Sequence, residues 1–164
     1  MFNFYKIKYK KGVSLIEVVI ASAIIGSVSV SVFGGLGLMT QYAVRNTSFV
    51  KASMLAEEGI EALRQMRDFG YASNILNLTP GSTYRFAWDG SKWVSTTAVN
   101  FIDGKFDRTF VLSNVNRDMD FDIVSSGGTL DSGTKKVTVT VSFKEGVATT
   151  SRSIEGYIFN TFNN

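Results

Sequence analysis

At 164 residues the chain is the right size for one domain with a modest core, and its lack of histidine excludes Ser-His and Cys-His nucleophile pairs and histidine metal ligands, leaving carboxylate chemistry open. Cysteine is absent as well, so no disulfide can staple the fold. The net charge of +3 rests on four lysines within the first twelve residues; without them 3 − 4 leaves −1 from Val13 onward, so the basic balance is not a nucleic-acid footprint.

Those lysines, Lys6, Lys8, Lys10 and Lys11, precede Gly12 and the run Val13-Ser14-Leu15-Ile16-Glu17, and no charge follows from Val18 to Met39. About 22 uncharged residues at 1.5 Å each make a helix of roughly 33 Å, enough to cross a hydrocarbon layer of about 30 Å. Lysines on one flank place that flank in the cytoplasm and the rest of the chain outside. Glu17 is the anomaly, because a carboxylate inside the edge of an apolar segment costs on the order of a few kcal/mol unless it finds a partner.

The basic leader ending in Gly12, the short apolar and hydroxyl stretch, and Glu17 as fifth residue after it resemble the class III signal of type IV pilins and type II secretion pseudopilins. The resemblance implies that a membrane aspartyl peptidase, the prepilin peptidase, cuts between Gly12 and Val13 and that the new amine of Val13 is N-methylated. It also implies that Glu17 neutralises the Val13 ammonium of an adjacent subunit as helices pack into a filament, so that two charges costly alone satisfy one another. Val13 stands where Phe is commoner, and Ser14 where Thr is commoner; neither departure removes the chemistry. Two other readings compete. A secretory signal cut near Ala21-Ser22-Ala23 would have only about eight apolar residues before the cut, short for such a signal, and a plain signal anchor would park Glu17 at the interface beside Lys10 and Lys11.

Helix is expected to continue past the membrane, since Gln41 to Arg67 lacks proline. Ala52, Leu55, Ala56, Gly59, Ala62, Leu63 and Met66 recur at helical spacing, while Glu57, Glu58, Glu61, Arg64 and Gln65 take other faces and are read as solvated surface groups. The expectation is one helix of about 55 residues. Gly26, Gly34, Gly35 and Gly37 interrupt its first half, either for close helix packing in a bilayer or as a place that melts during assembly.

Beyond Gly70 the period becomes two. A linker from Ser73 to Ser82 holds the single proline, Pro80; Tyr84, Phe86 and Trp88 lead into an Asp89-Gly90 hairpin turn, with Trp93 in the returning strand. A third strand is expected over Arg108 to Leu112. Val137, Val139, Val141 and Phe143 share a face, Lys144-Glu145-Gly146 turns the chain, and Val147 to Phe159 forms the last strand. Strands laid on one amphipathic helix give an α+β fold: pilin-like, with one long N-terminal helix packed on an antiparallel sheet. The expected organisation is a leader over 1–12, a transmembrane and assembly helix over 13–39, and an extracytoplasmic domain over 40–164. The Val-Thr strand from Lys135 to Gly146, with Ala56 to Ala62 and Arg67-Asp68 in the helix, resembles minor pilin-like subunits.

Asp118, Asp120 and Asp122 alternate, which would set three carboxylates on one face of an extended strand and makes them the weak candidates for calcium; the glycine and the acid twelve residues in that a calcium loop uses are missing. A solvated strand edge explains them without a cofactor. Asp131 with Ser132-Gly133 reads as a turn. Tyr84, Trp88 and Trp93 could stack on bases or sugars, but core packing accounts for them. The function expected is therefore that of a structural minor subunit of a type IV pilus or secretion pseudopilus, with no catalytic residues of its own. Its partners would be the peptidase, other pilin subunits, membrane lipid before assembly and the inner-membrane assembly platform; nucleic acid is not expected. The alternative is a membrane-anchored surface binding module, either a pilin for adhesion or DNA uptake or a receptor that forms no filament.

Overall fold

The computed structural model describes residues 12–162, so the leader lysines lie outside the described residues. One helix, α1 (Leu15–Asp68, 54 residues), is followed by a five-residue π-helical turn, Ala72–Leu76, and seven strands. The chain divides after Val44 into two compact units, each taken by itself below.

In the first unit α1 starts where Ser14 can act as N-cap: the Ser14 carbonyl accepts the amides of Glu17 (3.0 Å) and Val18 (3.3 Å). Ser14-Leu15-Ile16-Glu17 also has the spacing of a capping box, a signal that marks the start of a helix. The hydroxyls that follow are satisfied within the helix. Ser22 donates to Val19 O (2.9 Å), Ser27 to Ile24 O (2.8 Å), Ser29 to Ile25 O (2.8 Å) and Ser31 to Ser27 O (3.0 Å). A hydroxyl bonded back to its own helix can enter an apolar medium without the desolvation penalty of a free one. The helix runs unbroken through Gly26, Gly34, Gly35 and Gly37, and a Cβ at any of them would meet nothing within 4 Å.

In the second unit the predicted apolar face of α1 is the buried one: Ala52, Leu55, Ala56, Gly59, Ala62, Leu63 and Met66 are all buried. Gly59 marks the closest approach to the sheet, for a Cβ there would stand 2.7 Å from Val139 Cγ1. The strands are β1 (Thr83–Trp88), β2 (Trp93–Thr96), β3 (Phe101–Ile102), β4 (Phe106–Arg117), β5 (Ile123–Val124), β6 (Thr129–Glu145) and β7 (Ala148–Phe159). They form an antiparallel sheet in the order β2-β1-β4-β6-β7, with β3 and β5 pairing to the two ends of β4. Phe86 on β1, Phe106, Phe110 and Leu112 on β4, Val137, Val139, Val141 and Phe143 on β6, and Ile158 on β7 turn toward the helix and close the core. The α+β, pilin-like architecture is as the patterning predicted.

Several details differ from expectation. The linker is not wholly irregular: its first residues form the π-helical turn, which buries Ile75, while the preceding Tyr71 is buried with its hydroxyl donating to Ser132 O (2.9 Å). The third strand extends well beyond Arg108 to Leu112 at both ends. Between β1 and β2 the loop has four residues, because Asp89 Oδ1 accepts the amides of Ser91 and Lys92 (2.9 Å each) and lengthens the turn beyond Asp89-Gly90. Lys144 and Glu145 belong to β6; the turn is Gly146-Val147, with Gly146 supplying the φ of 63° that a two-residue hairpin loop requires.

Asp131 does not make a simple turn. Registers on β4 and β6 shift from Asn114 opposite Lys135 to Val115 opposite Asp131, so β6 bulges over the residues between. The Asp131 carboxylate holds this bulge, accepting from Thr134 Oγ1 (2.6 Å), Arg117 Nε (2.7 Å) and the Gly133 amide (2.9 Å). Those bonds, Thr134 first and then Arg117, hold its pKa below the ordinary carboxylate range. A depressed carboxyl pKa stabilises the fold above the unfolded-state value, and that contribution is lost as pH falls through the folded-state value. Asp131→Asn should therefore cost about 1 kcal/mol at neutral pH, a low figure because the pair keeps some solvent. Urea unfolding of wild type and variant should converge in strong acid; a gap unchanged by pH would assign the loss to bulge geometry instead of charge.

Candidate functional site: the amino-terminal signal

Gly12, Val13 and Ser14 precede the helix and are exposed, so the Gly12–Val13 peptide bond lies in non-helical backbone two residues ahead of Leu15. An endopeptidase must draw its substrate into an extended form, and here that form needs no helix to be unwound. Among the described residues none requires glycine at 12, since a Cβ there would meet none of their atoms within 4 Å. Glu17 sits in the first turn of α1, exposed, and among the described residues no cation pairs with it. The helix amino terminus favours its carboxylate by about 0.3–1 kcal/mol. That offsets only part of a cost on the order of a few kcal/mol in lipid. Within the described residues, then, the Glu17 carboxylate is left without a positive partner.

The apolar side chains after it are similarly uncommitted: Val18, Val19, Ile20, Ile24, Ile25 and Val28 are each more than half exposed. Length and composition make α1 a candidate to cross a membrane.

The acidic triplet is not on a strand. Asp118 through Asp122 form the turn from β4 to β5, which corrects the expectation of three carboxylates on one extended face. Asp118 Oδ1 accepts the amides of Asp120 (3.0 Å) and Asp122 (2.9 Å), and Arg117 Nη1 donates to Phe121 O (2.6 Å), holding Phe121 at a φ of 65°. The short Asp118 side chain serves here as a backbone acceptor. Among the described residues no group of three acids could hold a metal ion.

Of the aromatics, Tyr84 stacks on Phe110 with ring centres 5.6 Å apart and Trp93 packs against the core, as expected. Trp88 differs: it is 54% exposed. Glu58 is not simply solvated either, for it pairs at 3.1 Å with Arg108, which is only 5% exposed and also donates to Leu55 O (3.2 Å). Arg108 was missed as a structural residue, although it occupies an inward position in the alternation Phe106, Arg108, Phe110, Leu112 that marks β4.

The family described as the prokaryotic N-terminal methylation motif matches residues 7–33. No curated protein and no solved structure matches the chain significantly. The chain thus carries an N-terminal methylation motif that leads into a long apolar helix, whose second half packs on an antiparallel sheet.

Proposed function

We propose that the protein is a structural subunit of a type IV pilus or type II secretion pseudopilus, made as a single-pass inner-membrane precursor with its amino terminus in the cytoplasm. Prepilin peptidase cuts it after Gly12, the Val13 amine is methylated, and the assembly platform moves the subunit from lipid into a filament outside the inner membrane. The observation that carries this reading is the first stretch of α1, whose apolar side chains face outward around one carboxylate at Glu17. Lipid satisfies the apolar surface and leaves Glu17 unpaired; neighbouring helices that bring a Val13 ammonium satisfy both. The secretory-signal alternative is disfavoured because Ala21-Ser22-Ala23 lies in uninterrupted helix. The likeness of the Val-Thr strand and the Glu-rich helix to minor subunits supports a minor place in the filament. No catalytic activity of its own is part of this reading.

Glu17→Ala tests it. Removing the carboxylate should leave membrane insertion intact or improved and should reduce the variant in sheared filament fractions at least tenfold relative to wild type, the equivalent of about 1.4 kcal/mol of lost pairing. Normal incorporation would remove Glu17 from the assembly mechanism.

A further inference from the structure

The end of the second unit at which α1 enters carries a separate feature. Arg45 pairs with Glu145 (3.2 Å), Lys51 pairs with Asp103, and Lys105 Nζ donates to Ser48 Oγ (2.7 Å), which brings the β3–β4 turn and the β6–β7 hairpin to the same stretch of helix. Three aromatic rings hold the cations there. Arg45 and Arg152 lie 5.6 and 4.4 Å from the Phe49 ring, Lys51 and Lys105 lie 5.6 and 5.5 Å from Phe106, and Lys105 is also 5.6 Å from Phe143. Ring faces attract a cation without neutralising it. Among the described residues no carboxylate pairs with Lys105, Lys144 or Arg152. From Arg45 onward the chain has as many acidic as basic residues, so these five cations against Asp103 and Glu145 leave this end with an excess of three positive charges. The rest of the domain, including the Asp118–Asp122 turn at the far end of β4, holds the equal negative excess. Two apolar side chains stand exposed among the cations, Val147 at the hairpin tip and Phe101 on β3. A cleft of about 430 Å³ beside Phe101 is lined by both Lys105 and Lys144; its one carboxylate, Asp107, is already taken by Arg85 at 2.7 and 2.8 Å.

We infer that this basic end docks on a bilayer of anionic phospholipids. The inference rests on the membrane-anchored precursor proposed above, because the anchor selects the partner. Only the residues from Met39, the last of the uncharged run, to Arg45 connect the two, and they span at most about 20 Å even fully extended. A tether that short keeps the basic end at high effective concentration beside the headgroups, whichever way the domain turns. Headgroup phosphates supply the anions that Lys105, Lys144 and Arg152 lack, each cation near an anionic surface raising the docked population about fivefold. Val147 and Phe101 then reach the boundary between headgroups and acyl chains, where exposed apolar side chains leave water. The negative excess keeps the Asp118–Asp122 turn off the same surface. A soluble polyanion would match the charge and leave Val147 and Phe101 in water. Docked in this way, the precursor waits with its domain against the bilayer, and assembly has to lift it off.

The chain has no cysteine, so Val147→Cys and, as a control at the far end of β4, Met119→Cys each accept a single NBD label at an exposed position. Each labelled full-length protein would be reconstituted into vesicles of phosphatidylcholine alone or mixed with phosphatidylglycerol and collected by flotation. The expected result is blue-shifted emission, quenched by nitroxide-labelled lipid, from the label at 147 in the phosphatidylglycerol vesicles, with little change in phosphatidylcholine and none from the label at 119. Salt at about 1 M, where the screening length is about 3 Å, should abolish it. Lys144→Gln, an exposed residue with no ion-pair partner to lose among the described residues, should lower the ratio of docked to free label about fivefold with an unchanged circular dichroism spectrum. A floated chain whose label at 147 stays in water, or responds equally in both kinds of vesicle, or responds no more than the label at 119, would overturn the inference and leave the anchor standing. A shift given by soluble polyphosphate in detergent as strongly as by vesicles would assign the surface to a free polyanion and overturn it too. A chain that fails to float would overturn the membrane-anchored reading itself, and this inference with it.

Discussion

Replacing Gly12 by a residue larger than alanine should leave an unprocessed precursor in the membrane, longer than the mature form by the twelve residues that end at Gly12. No described residue accounts for a requirement for glycine, because a Cβ at 12 would meet none of them within 4 Å. The proposed processing assigns that requirement to the enzyme that reads the bond, whose cleft has to accommodate the residue on the leader side of the cut. Gly12→Ala should slow processing and Gly12→Leu should abolish it, with helix α1 unaffected because it begins at Leu15. Mass spectrometry of the amino-terminal peptide decides the matter: wild type should begin at Val13 with a methylated amine, and Gly12→Leu should yield no such peptide. A Val13-initiated peptide at normal abundance from Gly12→Leu would sink the proposed processing, and an unmethylated one from wild type would separate cleavage from methylation.

The parts of the fold legible in the sequence are those where burial imposes a period. The face from Ala52 to Met66 and the run Val137 to Phe143 were readable because each repeats at the spacing of its own element and each packs on the other. What was not legible is where polar side chains redirect the backbone. Asp89, Asp118 and Asp131 all accept main-chain amides, and each lengthens a turn, ends a strand or builds a bulge; an aspartate in a sequence looks the same in all three. Arg108 was hidden for another reason. Its position is inward by period two, but a charged residue is normally taken as outward, and only the Glu58 carboxylate and the Leu55 carbonyl, fifty residues upstream, make its burial tolerable. The amino-terminal signal was the reverse case: its residues were readable from chemistry alone, while the helix start at Leu15 that leaves Gly12 and Val13 in non-helical backbone needed the structure.

A chain beginning at Gln41 should fold as a soluble α+β monomer, whereas one beginning at Gly70 should aggregate. The first keeps all eight buried residues of α1, from Ser48 to Met66, and removes the apolar stretch whose side chains are exposed. The second removes the helix and with it the cover over Phe86, Phe110, Val139 and Val141. Burying Leu55, Leu63 and Met66 is worth about 1.5–3 kcal/mol each. Their sum is comparable to the whole stability of a typical domain, about 5–15 kcal/mol. The sheet left behind would present a contiguous apolar face to water, the kind of surface that drives association. Arg108 would also lose both Glu58 and the Leu55 carbonyl, leaving its charge among aromatic rings without an anion. Size-exclusion chromatography and circular dichroism of the two fragments give the test. A monomeric, cooperatively unfolding fragment from Gly70 would show that α1 is dispensable to the core, and a disordered fragment from Gln41 would show that the domain cannot stand without the apolar half of its helix.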